Sequence, residues 1–403
     1  MKVLQVNCVY RNGSTGKIVY DLHTALKQRG VDSVVCYGRG AAADEPDVFK
    51  TCPEWYARCS HLRARLTGQL YGGCLLSTAH LISVIRRQQP DVVHLHCING
   101  YFVNIPRLIT WLKKHRIKTV ITEHAEFLFT ASCGYALDCE RWNTGCGACP
   151  QRRELRILAD TTHRAWKKQK KAFSGFSTAT MVGVSPWLTG RSASSAILGG
   201  LPHETVLNGI DTTVFRPADT TALRSELGLN RQKILLHVTA YFSADPTHLK
   251  GGSTVLELAR RLAGEDVVIL VAGNYDSAIQ PPSNLRFLGR IADQTRLAQF
   301  YSLADATLLT SKRETFSMPV AESLCCGTPV VGYCAGGPEG IALRAHSVFV
   351  PYGDMEALHE SVTVLLRREK ASEGIAEQAA AQFGAERMCA QYEARYREMM
   401  RDR

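Results

Sequence analysis

Two glutamates, Glu314 and Glu322, stand at E-x7-E spacing around the run Thr315-Phe316-Ser317-Met318-Pro319-Val320-Ala321. The apolar run Ala306 to Thr310 reads as a buried parallel strand, and a short helix is expected from about Met318 to Cys326. Pro319 suits a first helical turn, Gly327 a left-handed C-terminal stop, and Pro329 bars continuation. The N–H groups of Thr315, Phe316, Ser317 and Met318 then lack helical partners and can receive phosphate. A carboxylate beside phosphate costs electrostatic energy, so neither acid suits a phosphate ligand. Accepting two hydrogen bonds from neighbouring hydroxyls is a better use, and sugars supply such diols. Spacing alone also describes a plainer case, with Glu314 favouring the helix dipole and Glu322 solvated.

Further groups could do chemistry. Lys250-Gly251-Gly252 precedes a helix expected over Ser253 to Leu262, placing an ammonium beside bare amides in a way that suits a diphosphate. Gly13-Ser14-Thr15-Gly16 follows a first strand, but its glycine spacing is too short for a dinucleotide fingerprint. Lys17 can meet a phosphate or remain a solvated first-turn lysine. In Asp91 to Cys97, alternation puts His94 and His96 on one face. His94 reads as a satisfied core residue. Asn99 falls just past the strand's carboxyl end, where open α/β sheets bind ligands. Cys133, Cys139, Cys146 and Cys149 read C-x5-C-x6-C-x2-C. Four thiolates around zinc would make a structural site with no open position; reduced thiols pinning an insertion are the alternative.

The elements that must carry these groups alternate strand and helix. Val3–Val9, Ser33–Tyr37, Asp91–Cys97, Thr119–Thr122 and residues 180–184 read as strands of one parallel sheet. Ile234–Thr239, Val267–Ala272, Ala306–Thr310 and Val330–Tyr333 read as a second. Helices are expected over Ile18–Arg29, within residues 57–89, over 161–173 and near 386–401. At 403 residues two domains are expected. The boundary is placed near 216, giving 1–215 and 216–385, with a final helix (386–403) packing back on the first.

Composition narrows the class. A formal charge of +11 implies an anionic partner. No recognition-helix, zinc-finger or ribonucleoprotein signature points to nucleic acid. The first apolar run is too short for a signal peptide and no run is long enough to span a bilayer, so a cytoplasmic location is expected. The fourteen cysteines then read as mostly reduced thiols. Arg58, His61, Arg63, Arg65, Arg86 and Arg87 sit among leucines in 57–89, a surface that could meet anionic lipid at the inner face of the plasma membrane.

The stretch from Glu314 to Gly340 resembles the donor-site signature of the family 4 retaining glycosyltransferases. That signature runs through Glu314, Phe316, Pro319, Glu322, Cys326-Gly327-Thr328-Pro329-Val330 and Gly336-Gly337-Pro338-Glu339. The HLH-x-x-x-G-Y-F run and the cysteine segment are similar to a bacterial exopolysaccharide, O-antigen and colanic-acid branch. The resemblance implies an α/β fold of two Rossmann-like domains facing across a cleft, the glycosyltransferase B type. It implies sugar transfer from a nucleotide diphosphate donor to a glycan acceptor, expected to be polyprenyl-diphosphate-linked, with retention at the anomeric carbon. The catalytic pair would be His124 and Glu314. Lys250, Gly251, Thr315, Phe316, Ser317, Met318 and Glu322 would bind the donor, and Gly13, Ser14, Gly16, His96 and Asn99 would line the acceptor side. The chain departs from the pattern in two places. Ala125 and Glu126 replace an aspartate after His124, and Thr239-Ala240 replaces a Gly-Arg, for which Lys312 or Arg313 could substitute. No D-x-D is present, so no catalytic cofactor is expected and Lys250 with helix amides would neutralise the diphosphate. Two rivals stay open: a nucleotide-sugar epimerase of the same architecture, and a non-catalytic anion- or lipid-binding protein.

Overall fold

A computed structural model of the chain describes residues 1–368, 370 and 372–401, and contains two parallel α/β sheets. The chain divides into two compact units between Leu207 and Asn208, and from Met388 onward it belongs to the first unit again. Asp402 and Arg403, the end of the helix expected over 386–403, lie outside the described residues.

The first unit holds strands β1 (Lys2–Asn7), β2 (Asp32–Tyr37), β3 (Val48–Lys50), β4 (Val92–Leu95), β5 (Thr119–Glu123), β6 (Ala179–Gly183) and β7 (His203–Thr205). Their order is β3-β2-β1-β4-β5-β6-β7, with every pair parallel. Strand β4 is buried at all four positions, as a strand covered by helices on both faces must be. The first helix runs Gly13–Gln28, so the glycine turn forms its opening rather than a separate loop. The region expected to be helical over 57–89 is two helices, Glu54–Thr67 and Leu75–Gln88. Gly68 ends the first in the left-handed region (φ 71°), and a Cβ there would lie 2.0 Å from the Ala159 carbonyl oxygen.

The C-terminal helix, Ala385–Arg401, buries Tyr392, Tyr396 and Met399. Tyr396 Oη bonds His94 Nδ1 at 2.6 Å, and Thr122 Oγ1 bonds both His94 Nε2 at 2.7 Å and Tyr392 Oη at 2.9 Å. Arg395 grips Glu204 with two bonds of 2.8 and 2.6 Å. His94 is thus the satisfied core residue its strand position suggests.

The second unit holds β8 (Lys233–Phe242), β9 (Val267–Tyr275), β10 (Leu285–Gly289), β11 (Ala306–Leu309), β12 (Val330–Tyr333) and β13 (Ser347–Val350). Their order is β10-β9-β8-β11-β12-β13, again all parallel. Leu235, Ile269, Leu308 and Val331 are buried in its core. Gly327 ends the helix Met318–Cys325 at φ 75°, where a Cβ would lie 2.4 Å from the Ser372 carbonyl oxygen.

Each sheet reverses direction once, between β1 and β4 and between β8 and β11. Such a reversal opens a crevice past the strands' carboxyl ends.

The buried Tyr396–His94 bond yields a stability prediction. Tyr396→Phe removes one partner and leaves a ring nitrogen buried without it, which should cost about 1–3 kcal/mol. Urea unfolding should show a lowered midpoint with an unchanged slope.

Candidate active site

At the β8/β11 reversal, two loops are stitched together by backbone bonds. Thr310 Oγ1 donates to the Lys250 carbonyl at 3.0 Å, and Lys312 N donates to the Leu249 carbonyl at 2.8 Å. Gly251 sits at φ 66° against this seam, and a Cβ there would stand 2.2 Å from the Thr310 carbonyl oxygen. Only glycine allows the loops to close so far. The seam brings Lys250 Nζ within 2.6 Å of Glu314 Oε1. Sequence reasoning gave these two residues separate duties; the structure pairs them.

Glu314 is tied in turn to the glycine turn after β12. Its N–H donates to Ala335 O at 3.0 Å, and its carbonyl accepts from Gly337 N at 2.9 Å. Glu339 accepts from Gly336 N at 2.8 Å and Ala335 N at 3.0 Å, so its carboxylate holds the turn. A Cβ on Gly337 would lie 2.2 Å from the Thr315 carbonyl oxygen. Beyond Thr315, Ser317 adopts φ 76° and ψ 91° at the start of the helix Met318–Cys325. A non-glycine residue there is strained, and its buried hydroxyl oxygen has no hydrogen-bond partner. Phe316 is buried, at 3% exposure, and packs edge-on to Phe383. Glu322 accepts from the buried Tyr301 hydroxyl at 3.0 Å, a fixing residue that periodicity could not reveal.

Lys312 extends over the Tyr352 ring, 5.9 Å from its centroid. A further cation, Arg290, lines a cavity of about 300 Å³ with Thr239, Ala240, Gly273 and Asn274. It follows β10, far from Lys250 in sequence, which is why no local motif exposed it.

In the first unit Asn7, wholly buried at the end of β1, ties the corresponding reversal. Its Oδ1 accepts from Cys97 N at 3.0 Å and its Nδ2 donates to Val9 O at 2.7 Å, with Thr15 Oγ1 at 3.5 Å. Gly13 and Ser14 are exposed at the helix start, and Gly16 is buried against Val9. Lys17 pairs with Asp21 at 2.7 Å, one turn on along the helix. Past β4, His96 Nδ1 lies 3.3 Å from His124 Nε2, and His96 Nε2 lies 3.2 Å from Gln5 Oε1. Asn99 is half-buried in the same loop. Glu126 is fully buried and accepts from Arg191 at 2.6 Å and from Ala136 N at 2.5 Å, a structural duty. Cys133, Cys139, Cys146 and Cys149 line one small cavity.

Burial removes charge from these groups of the first unit. It holds His94 and His96 far below the usual imidazole range and His124 down to about 4. Burial likewise pushes Glu123 up to about 8, against a lowering contribution from the Ser192 hydroxyl. These imidazoles are therefore neutral hydrogen-bonding groups near pH 7. In the second unit, burial takes His237 to about 4 beside Lys250.

Residues 15–176 match the model for Glycosyltransferase Family 4, and residues 221–382 match that for Glycosyl transferases group 1. The chain is similar to the Escherichia coli (strain K12) protein named for colanic acid biosynthesis, glycosyl transferase WcaC, at 24% identity over 347 residues and 82% of either chain. Among solved structures, it is similar to sucrose-phosphate synthase from Thermosynechococcus elongatus, with TM-score 0.70, 16% identity, and coverage of 99% of this chain and 98% of that one. It is also similar to Anabaena HepE in complex with UDP-glucose, with TM-score 0.67, 14% identity, and coverage of 99% and 100%. At these identities the structures establish the fold alone, which is the glycosyltransferase B type.

The neutral imidazoles give a pH prediction. A depressed folded-state pKa means the unfolded chain takes up the proton first. Stability from this source is complete above about pH 6.5 and is lost as pH falls towards 4. Glu123 acts in the opposite sense, so the variant His237→Gln is compared with the parent. The parent should lose up to about 2 kcal/mol more than the variant between pH 7.5 and pH 5. Equal losses in urea unfolding at the two pH values would mean His237 is not held neutral.

Proposed function

The chain belongs to the family 4 glycosyltransferases, and from that premise we propose that it moves a sugar from a nucleoside diphosphate sugar to a glycan acceptor in bacterial surface-polysaccharide assembly, with retention and without a catalytic metal. The observation that carries this reading is the Lys250–Glu314 pair at the β8/β11 reversal, 2.6 Å apart and next to the strained, amide-presenting start at Ser317. A diphosphate arriving there would take Lys250 as its counter-charge and the amides of residues 315–318 as donors. Glu314, released from the lysine, would accept from a hydroxyl of the transferred sugar. Glu322, aligned by Tyr301, would accept from the ribose diol. In the first unit, His124 would offer a neutral imidazole to sugar hydroxyls. With the leaving phosphate so stabilised, it can take the acceptor's proton on the face it leaves, and no enzymic nucleophile is needed.

The name of the WcaC relative supports the polysaccharide assignment, and the HepE complex shows a neighbour in fold holding UDP-glucose. The acceptor proposed is lipid-linked, met at an anionic membrane surface. The helix Glu54–Thr67 supports this, since Trp55, Leu62 and Leu66 are exposed along it beside the exposed Arg58, Arg63 and Arg65. Among the described residues no helix is long and apolar enough to cross a membrane.

Three substitutions separate the assigned roles. Glu322→Gln weakens charge-assisted bonds to the ribose and should reduce affinity for free nucleotide as well as donor, by about 10- to 100-fold. Glu314→Gln should leave free-nucleotide affinity unchanged or improved while turnover falls. Lys250→Ala should harm diphosphate binding more than monophosphate binding. Calorimetric titration with UDP, UMP and their guanosine counterparts, beside donor turnover, reads all three. If Glu314→Gln loses nucleotide while Glu322→Gln keeps it, the assignments are reversed. An isomeric nucleotide sugar formed without acceptor would mark an epimerase instead.

The membrane surface is tested by sedimentation with vesicles. Binding to anionic vesicles should be strong at low salt and fall as salt screens the arginines over about 10 Å. Equal recovery on neutral vesicles would count against the charge-led docking.

A further inference from the structure

Between Ala131 and Asp160 the first unit contains thirty residues with no strand or α-helix, only the 3-10 turn Arg141–Asn143. Segments of this length inside a compact domain need something to hold them. The rim is held. Trp142 is buried against Phe129, with its carbonyl accepting from Trp166 Nε1 at 2.8 Å. Asp160 accepts from Cys149 N at 2.7 Å, and Arg141 donates to the Gly147 carbonyl at 2.8 Å. The centre is not held in this way. It is a void of about 20 Å³ walled by the four thiol-bearing residues together with Thr130 and Trp142.

We propose that Cys133, Cys139, Cys146 and Cys149 hold one structural zinc ion at the centre of this segment. Four soft, weakly hydrogen-bonding groups that converge from 17 residues of chain on a void of atomic size make poor packing by themselves. They make a good tetrahedral thiolate set around a cation at about 2.3 Å from each sulfur. The chain path supports it. Gly145 (φ 125°), Gly147 (φ 132°) and Ala148 (φ 44°) put three residues of positive φ within the Gly145–Cys149 turn, folding Cys146 and Cys149 back towards one another. Ala148 is the notable one, since an L side chain at positive φ is strained and persists only where its surroundings impose it. Cys133 and Cys149 already meet thiol to thiol, and Cys146 Sγ lies 3.4 Å from the Thr130 carbonyl.

Among the described residues no group of three His, Cys, Asp or Glu side chains is already set around one point. Closing the set therefore requires the thiols to turn towards the void they share. Binding exchanges four thiol protons for one Zn²⁺, leaving two net negative charges on the cluster. The Arg141 guanidinium, already anchored on the Cys146–Cys149 turn, lies beside them. Every position in the set is filled by protein, so the ion would be structural.

The full chain, purified without added metal, is assayed by elemental analysis and should contain close to one zinc per molecule. Cobalt-grown protein should show the visible bands of a tetrahedral thiolate site. Cys139→Ser and Cys149→Ser should each abolish the metal, while Cys59→Ser, on the exposed face of another helix, should retain it. If the cluster variants do not fold, a mercurial titration of the intact chain replaces them, and zinc should be released as four thiols react. Metal-free protein, iron in place of zinc, zinc retained by both cluster variants, or release that does not track four thiols would each overturn the proposal.

Discussion

The polar tie across each strand-order reversal is the constraint on which the candidate site depends. At a reversal, the chain leaving one strand and the chain leaving its neighbour diverge to opposite faces of the sheet, and their loops have no ladder to join them. In the second unit Thr310 and the Leu249 carbonyl supply the missing bonds, and in the first unit Asn7 does so. Without the Thr310 tie, Lys250 and Glu314 would sit on two independent surface loops, 64 residues apart in sequence. With it, their separation is fixed by backbone. The closeness of the loops explains Gly251, whose missing side chain is the space the Thr310 carbonyl occupies.

The two units put different chemistry at their reversals. In the first, His94 and His96 lie tilted against one another with ring centroids 3.8 Å apart, fully buried. Two imidazolium ions could not sit so close without water, so burial and mutual repulsion both favour the neutral form. What this unit offers is hydrogen bonding of fixed direction, set from behind by Gln5, Thr122 and Tyr396. The second unit offers charge: Lys250 beside the amides of the helix start, with Arg290 on the neighbouring cavity.

Much of this was legible in the sequence, and for identifiable reasons. The strands announced themselves because sheets covered on both faces need nearly unbroken apolar runs, as in Val92–Leu95 and Val330–Tyr333. The helix Met318–Cys325 was bracketed by Pro319 and Gly327, whose backbone constraints act locally. Local signals failed where geometry is long-range. Nothing near Asn7 reveals that it bonds Cys97, ninety residues on, and nothing near Tyr301 reveals that it aligns Glu322. A motif fixes which residue is present, whereas the fold decides how far its side chain is buried, as it does for Phe316. The break at Gly68 was missed because a glycine amid leucines and arginines is tolerated in many helices; here the Ala159 carbonyl requires it.

The Lys250–Glu314 pair bears on selectivity as well as affinity. The lysine is about one-third exposed and the glutamate more buried, at 12%, so the pair is partly desolvated and each partner depends on the other. An anion that displaces Glu314 from the lysine must leave that carboxylate with a new partner, or the site bears an uncompensated charge. On the proposed roles, inorganic phosphate or a bare nucleotide would satisfy the lysine but bring no hydroxyl of a transferred sugar to the glutamate. A nucleotide sugar brings both, an anion for the lysine and a hydroxyl for the carboxylate, within one molecule. Discrimination then follows from what the wrong ligand leaves unpaired, which is a stronger lever than what the right one gains. On the proposed function, an acid next to the phosphate site, which on simple electrostatics is unfavourable, would favour a phosphate that carries a sugar.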